Sequence, residues 1–137
     1  ISTYGGNAAI CAAALENIRI IEEQGLCANS EKMGGYLLNL LKELEDLPLV
    51  GEVRGKGLLA GVELVADKKT KVPADEQVVG RVVAKAAEQG VLIGKMNRAV
   101  PGYNNVLTIA PPLIIEKEQV DRIVLAIKNA LVNVARV

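Results

Sequence analysis

The period of the hydrophobic pattern changes several times along the chain, and the order of these changes constrains the fold more than any other feature. Four segments carry apolar residues at three- and four-residue steps, which is the spacing of amphipathic helices. Between them lie short runs rich in Val and Leu, bounded by Gly and Pro, that are typical of strands. The helices are predicted over residues 8–24, 29–45, 75–89 and 116–134, and the strands over residues 51–54, 58–65, 91–94 and 106–110.

This order predicts an α/β fold of the α+β type, a small mixed or antiparallel sheet of about three to four strands with helices packed on one face. A long helix precedes this unit. Asn7 is the expected N-cap of that helix, and Gly25 is the residue expected to end it. Two glycines surround Lys56 in residues 55–57, and this break predicts a hairpin or a bent pair of strands. Residues 68–73 are predicted to form a surface loop whose charges are solvated.

Composition and charge exclude several classes of function. Sixteen basic residues balance sixteen acidic ones, which argues against nucleic acid as a partner, because its binding needs a basic surface. No run approaches the ~20 apolar residues of a membrane span, and no secretory signal opens the chain, so we expect no membrane partner. The absence of His removes the usual metal ligand and the usual activating base, so no metal site is expected. Cys11 and Cys27 are too few for a disulfide scaffold, and we expect a cytoplasmic protein.

Two glycine motifs resemble nucleotide-binding sequences without fulfilling them. Residues 55–60 match the GxGxxA form of the dinucleotide fingerprint, which must open a helix after a strand. Here the following residues are predicted to be a strand, so we reject that function. Residues 51–57 are one residue short of a phosphate loop, and no Ser or Thr follows Lys56. A tight turn explains both stretches better.

Two other segments carry chemistry that suits an anion. Residues 2–7 place two hydroxyl residues and two glycines directly before a helix, where backbone N–H groups and the helix dipole favour a phosphate. An ordinary turn followed by an N-cap explains the same residues. In the loop over residues 95–105, Lys95 and Arg98 suit a carboxylate or a sulfonate. The side-chain amides of Asn104 and Asn105 add donors there, and a fully solvated loop is the alternative.

Several motifs, in order and spacing, carry a resemblance that covers nearly the whole chain. They are Thr3-Tyr4-Gly5-Gly6-Asn7 before an Ala-rich helix, Val53-Arg54-Gly55-Lys56-Gly57-Leu58, Gly61-Val62-Glu63-Leu64 and Ala110-Pro111-Pro112-Leu113-Ile114-Ile115. With these motifs the sequence resembles the carboxyl-terminal third of a class-III (omega-type) aminotransferase, a pyridoxal-phosphate enzyme of fold type I. The resemblance implies transfer of an amino group from an amine or omega-amino acid to a keto acid such as pyruvate, by a homodimer.

The resemblance also implies how the chain is divided and what it lacks. Residues 1–25 correspond to a cofactor-phosphate turn and an interdomain helix, and residues 26–137 to the small carboxyl-terminal domain. In the family, the Lys that forms a Schiff base with the cofactor lies upstream of the Thr-Tyr-Gly-Gly stretch. No catalytic residue is therefore expected in this chain, which would be inert alone. Thr3, with Tyr4 beside it, corresponds to the position that reaches the cofactor phosphate of the neighbouring subunit.

Residues that differ between the substrate types of the family indicate which amine donors suit this chain. Ornithine-type members carry an Arg where this chain has Thr108, which makes ornithine and acetylornithine unsuitable substrates. Many amine and beta-alanine members carry an Arg where this chain has Lys95. The longer loop after Lys95 resembles taurine- or sulfonate-type members, with Arg98 as the first candidate to bind the acidic group and Lys95 as the second. A stand-alone binding or dimerisation module of the same architecture, without chemistry, is the alternative function.

Overall fold

Four α-helices and five strands lie within residues 5–97 and 100–135, the part of the chain that the computed structural model describes. The predicted order of elements is confirmed, with one additional short strand. The helices are α1 Ala8–Glu23, α2 Leu26–Lys42, α3 Glu76–Ala87 and α4 Lys117–Ala135, with a 3-10 helix at Glu43–Asp46. The strands are β1 Val50–Lys56, β2 Leu59–Asp67, β3 Val72–Pro73, β4 Gly94–Lys95 and β5 Val106–Ile109.

The sheet is antiparallel throughout, with the strand order β1-β2-β5-β4 and with β3 paired to β2. Side chains alternate between its two faces, so that Ala60, Val62 and Leu64 of β2 point into the core. Helices α2 and α3 pack on that face and α4 packs against both of them, so these helices lie on one side of the sheet, as predicted. The core is aliphatic because the sequence contains no Phe or Trp. Its largest fully buried side chains are Leu37, Leu41, Leu64, Leu107, Ile127 and Leu131.

Helix α1 stands apart from this core. The Asn7 side chain caps it by accepting hydrogen bonds from the N–H groups of Ala9 and Ile10, as the sequence predicts. Gly25 follows its last turn with a φ of +60°, a backbone conformation that favours glycine. Helix α2 begins immediately afterwards, three residues before the predicted start. No residue of α1 is buried, and it packs mainly against α2.

A two-residue turn joins β1 and β2 into the predicted hairpin. Lys56 pairs with Leu59, so Gly57 and Leu58 form the turn, and Gly57 takes a φ of +55°. Strand β1 therefore continues through Gly55 and Lys56, which the sequence analysis placed in the break. Leu58 folds back into the core and is buried.

Two predictions about the connecting segments need correction. Residues 68–72 are exposed, as predicted, but Val72 and Pro73 form β3, and the ammonium groups of Lys68 and Lys71 donate to backbone carbonyls of residues 45–51. The buried strand predicted at residues 91–94 pairs only from Gly94 onward. Leu92 is 90% exposed, because β4 is the outermost strand and the adjoining residues have no second neighbour.

Candidate functional site

The turn before α1 is the first candidate site, and the structure describes it from Gly5 onward. Gly6 has a φ of +83°, which lets the chain turn sharply into the helix. The carboxamide oxygen of Asn7 lies 3.1 Å from the nitrogen of Ala9 and 3.2 Å from that of Ile10. These two N–H groups are thus bound within the helix cap. Thr3 and Tyr4, the predicted cofactor contacts, lie outside the described residues.

Lys95, the second candidate for binding the substrate acid, lies on the edge strand β4. It pairs with Leu107, which is fully buried on the helix-covered face, so the Lys95 side chain is on that face too. Its ammonium nitrogen lies 3.8 Å from the point that a Cβ on Gly80 of α3 would occupy. Arg98, the first candidate, lies outside the described residues.

The loop between β4 and β5 is anchored at its base. The Met96 N–H continues the sheet ladder to the carbonyl of Val106. Asn105 is buried, and its amide nitrogen donates to the Leu64 carbonyl over 2.6 Å. The Asn104 amide donates to Glu76 at the start of α3, over 2.7 Å. Both amides therefore hold the loop to the fold.

The sheet face opposite the helices forms a surface that the sequence analysis did not foresee. Directly paired residues share a face, and the pairing places Gly94, Thr108, Gly61 and Arg54 in one row across the four strands. Continuing the register gives the two flanking rows. They are Ala110, Leu59 and Lys56 on one side, and Met96, Val106, Glu63 and Glu52 on the other. We call these eleven residues the open face.

The centre of the open face is a trough floored by small residues. Gly94 has no room for a side chain, because a Cβ there would overlap the hydroxyl of Thr108. At its β1 edge, the Arg54 guanidinium contacts the carboxylates of Glu52 at 3.1 Å and Glu63 at 2.9 Å. Glu52 and Glu63 are directly opposite each other, so Arg54 offsets the repulsion between them. Gly61 and Gly94 can be read in the sequence, but their alignment through Thr108 across the strands cannot.

The described residues do not form a complete cofactor pocket. A Lys that reacts with a carbonyl cofactor works from a desolvated position. Asn105 is the only polar or charged residue buried in the described part of the chain. Lys56 lines an open groove between α2 and the hairpin turn, together with Ser30 and Gly57.

The structure also bears on two functions considered in the sequence analysis, dinucleotide binding and membrane association. The GKGLLA stretch runs from β1 through the turn into β2, so no helix follows its glycines and the dinucleotide fingerprint is rejected. Within residues 5–97 and 100–135, no helix combines the length and the hydrophobicity that crossing a membrane requires.

Comparisons with known proteins agree with this fold. The model of the aminotransferase class-III family matches residues 1–131, and the chain belongs to this family, which confirms the resemblance. It is 52% identical over 136 residues to a taurine–pyruvate aminotransferase of Rhodobacter capsulatus, covering 98% of this chain and 30% of that protein. It is 47% identical to the uncharacterized aminotransferase YhxA of Bacillus subtilis, covering 95% of this chain and 29% of that protein.

Solved structures agree with the sequence relatives. A Bacillus anthracis aminotransferase superimposes with a TM-score of 0.92 at 46% identity, covering 97% of this chain and 30% of that one. An amine transaminase from an uncultivated Pseudomonas species, in its PLP-bound form, gives a TM-score of 0.86 at 35% identity, covering 96% and 29%. The predicted fold class is confirmed. The chain spans about 30% of the length of these relatives.

Proposed function

We propose that this chain is the carboxyl-terminal part of a cytoplasmic, pyridoxal-phosphate-dependent aminotransferase. The whole enzyme moves an amino group from an amine or omega-amino acid to a keto acid such as pyruvate. Membership of the class-III family, together with the taurine–pyruvate aminotransferase among its relatives, carries this proposal. In this proposal the remaining 70% of the enzyme's length supplies the lysine that reacts with the cofactor.

The exposed α1 supports this function over a stand-alone module. Ile10, Leu15 and Ile18 are between 44% and 68% exposed along this helix, and a module complete in itself would bury such side chains. We assign residues 1–25 to the cofactor-phosphate turn and interdomain helix, and residues 26–137 to the small domain. The intact enzyme is a homodimer in this proposal.

The function is tested by comparing this chain with the full-length polypeptide. Each is incubated with pyridoxal phosphate, a panel of amines including taurine, and pyruvate, and alanine formation is measured. The full-length protein is expected to produce alanine and the 137-residue chain to produce none. If the short chain instead formed alanine and lost this activity when one of its own Lys residues was changed, that result would contradict the proposal that the reacting lysine lies outside this chain.

Thr3 and Tyr4 are assigned to the cofactor phosphate across the dimer interface. A hydroxyl and backbone N–H groups just before a helix suit a phosphate, and a charge-assisted hydrogen bond contributes about 1.5–3 kcal/mol. Thr3→Ala in the full-length enzyme should therefore weaken cofactor binding about ten- to a hundredfold. Equilibrium titration with pyridoxal phosphate measures this, with the unsubstituted enzyme titrated alongside. A cofactor affinity of Thr3→Ala equal to that of the unsubstituted enzyme would remove Thr3 from the site.

Arg98, with Lys95 second, is assigned to the acidic group of the substrate. A planar guanidinium holds two oxygens of a carboxylate or sulfonate at once, whereas an ammonium offers a point charge. In the full-length enzyme, Arg98→Ala should lower kcat/KM for taurine far more than for an uncharged amine, by about 2–4 kcal/mol of transition-state stabilisation. Arg81→Ala on the outer surface of α3 is the control. Equal losses for charged and uncharged donors would show that Arg98 does not recognise the acid.

A further inference from the structure

The two outer edges of the sheet differ in length. The strand order places β1 at one edge and β4 at the other. Strand β4 has two residues, whereas β1 has seven. A long free edge presents unpaired N–H and C=O groups, which another strand can bind. Strand β1 is therefore the edge at which pairing with a second chain has to be controlled.

The register identifies the backbone groups of β1 that point away from the sheet. Lys56 and Leu59 flank the two-residue turn, which makes them a hydrogen-bonded pair. Hydrogen-bonded and non-hydrogen-bonded positions alternate along an antiparallel strand. Counting back from Lys56, Gly55 and Val53 therefore turn their N–H and C=O groups outward. Gly55 is exposed, so this part of the edge is open to solvent.

Two charged side chains bind backbone groups of β1. The Glu45 carboxylate, on the 3-10 helix that precedes the strand, accepts a hydrogen bond from the Val53 N–H over 2.9 Å. The Lys71 ammonium donates to the Gly51 carbonyl over 3.0 Å, where the pairing of β1 with β2 is irregular. Charged groups and irregular pairing at an edge both hinder the addition of another strand. Glu45 in particular occupies an outward donor that an added strand would need.

The charges on β1 suit a second copy of the same strand. In an antiparallel pair with a two-fold axis at Val53, each Val53 lies opposite the other, and Glu52 lies opposite Arg54 of the second copy. Opposite charges in directly opposed positions stabilise a strand pair, and the Glu52 and Arg54 side chains are 58% and 48% exposed. A two-fold axis at Gly55 would instead place Arg54 opposite Lys56, where like charges are destabilising. The charge pattern therefore favours pairing at Val53.

We propose that the edge of β1 is a self-association surface, and that Glu45 keeps it closed to a second copy of this chain. Pairing at Val53 requires two reciprocal hydrogen bonds, each from the Val53 N–H of one copy to the Val53 carbonyl of the other. The Glu45 carboxylate holds that N–H, and a charged acceptor makes the stronger hydrogen bond. This role goes beyond the proposed function and does not depend on it, because the residues that carry it need no cofactor or substrate.

Sedimentation equilibrium of the 137-residue chain, over a range of concentrations, tests this role. Glu45→Ala removes the acceptor, whereas Glu45→Gln removes the charge and retains an oxygen that accepts from Val53. Glu45→Ala is expected to self-associate at least tenfold more tightly than the parent, a difference of about 1.4 kcal/mol, and Glu45→Gln to stay close to the parent. Glu43→Ala is the control, because Glu43 is an exposed carboxylate on the same 3-10 helix. Association of Glu45→Ala equal to that of the parent, or to that of Glu45→Gln, would overturn the proposal.

A second substitution tests whether β1 itself is the surface that pairs. Glu52→Arg, added to Glu45→Ala, places two cations opposite each other between the copies, because position 52 faces Arg54 of the second copy. Within one chain, position 52 lies opposite Glu63, so the same substitution gives an attractive pair there. The double variant is expected to return to the association of the parent. Association as tight as that of Glu45→Ala alone would show that another surface is responsible and would overturn the proposal.

A variant that weakens the core elsewhere separates pairing from unfolding. Val124→Ala removes buried methyl groups on α4 and leaves β1 unchanged, so it should lower the free energy of unfolding without tightening association. Urea unfolding followed by far-UV circular dichroism is measured on every variant. If Glu45→Ala does not fold, Glu45→Leu replaces it, because leucine retains bulk and offers no acceptor. Equal association of Val124→Ala and the Glu45 variant would attribute the contact to unfolded chains and would overturn the proposal.

Discussion

Two adjacent glycines in α2, Gly34 and Gly35, occupy opposite environments. Gly34 is buried where the helix crosses the hairpin turn, and a Cβ there would overlap the backbone of Gly57. Gly35 has nothing within 4 Å of such a Cβ. The contact of two backbones at Gly34 is what allows α2 to lie directly on the β1–β2 turn. The role of Gly34 therefore depends on its position and not on helix propensity.

The two glycines should respond to alanine with opposite signs. Gly34→Ala forces α2 and the hairpin turn apart and should lower the free energy of unfolding by about 1–3 kcal/mol. Gly35→Ala should raise it by about 0.5–1 kcal/mol, because alanine restricts the unfolded chain and favours the helix. Urea unfolding followed by far-UV circular dichroism measures both. A stabilising Gly34→Ala would show that the close approach to Gly57 is not required.

At the scale of elements, the hydrophobic period predicted the helices, whose pattern is local in the sequence. It failed for strand segments whose extent depends on pairing with residues far along the chain. The helix predicted over residues 116–134 is observed as α4, Lys117–Ala135, because its stripe repeats over many turns. Strand β3 has only two residues, too few for a period of two to be recognised. The prediction at residues 91–94 failed because an apolar run indicates burial, whereas the strand's length depends on a neighbour far along the chain.

The candidate site shows the same difference between features set by local sequence and features set by pairing between distant residues. The motifs that indicated the family are short and local, and the family is confirmed. The open face depends on the alignment of Gly61 with Thr108 and of Thr108 with Gly94. That alignment is a property of the register between strands, which the sequence does not state. Similarly, the buried Asn105 amide donates a hydrogen bond to the Leu64 carbonyl, and these two residues are 41 positions apart in the sequence.

The turn between β2 and β3 is held by one carboxylate. Asp67 accepts hydrogen bonds from the N–H and hydroxyl of Thr70 and from the N–H of Lys69. These bonds, those from Thr70 first, hold the pKa of Asp67 below its ordinary value of 3.8. A carboxyl whose pKa is lower in the folded state stabilises the fold above the unfolded-state pKa. That stabilisation is lost as the pH falls below about 4 and through the folded-state pKa.

Asp67→Asn should therefore change how stability depends on pH. The amide oxygen still accepts the hydrogen bonds but does not titrate, so the variant should be less stable than the parent at pH 7. The difference in Tm should shrink as the pH falls from about 4 to about 2. Asp46→Asn is the control, because the Asp46 carboxylate makes no hydrogen bond or ion pair with the described residues. A difference in Tm between Asp67→Asn and the parent that is constant from pH 7 to pH 2 would contradict the role of the Asp67 charge.

On the scale of the whole molecule, the described chain consists of a core and one peripheral helix. Helix α4 contributes seven buried residues, whereas α1 contributes none. Ile20 and Ile21 near the end of α1 are half-buried, and the Gly25 turn separates this helix from α2. Because local stability follows buried contacts, α1 and the core are expected to differ greatly in their contribution to folding. The division proposed here between residues 1–25 and 26–137 rests on this difference.

Deleting residues 1–24 should therefore leave the core folded. Residues 25–137 retain the sheet, α2, α3 and α4, so we expect a cooperative unfolding transition whose free energy is within about 1–2 kcal/mol of the parent chain, since few apolar contacts are lost. Deleting α4, which is of similar length, should abolish the transition, because its buried residues belong to the shared core. Far-UV circular dichroism in urea measures both deletions. Loss of cooperative unfolding on removing α1 would show that this helix is part of the core and would move the domain boundary.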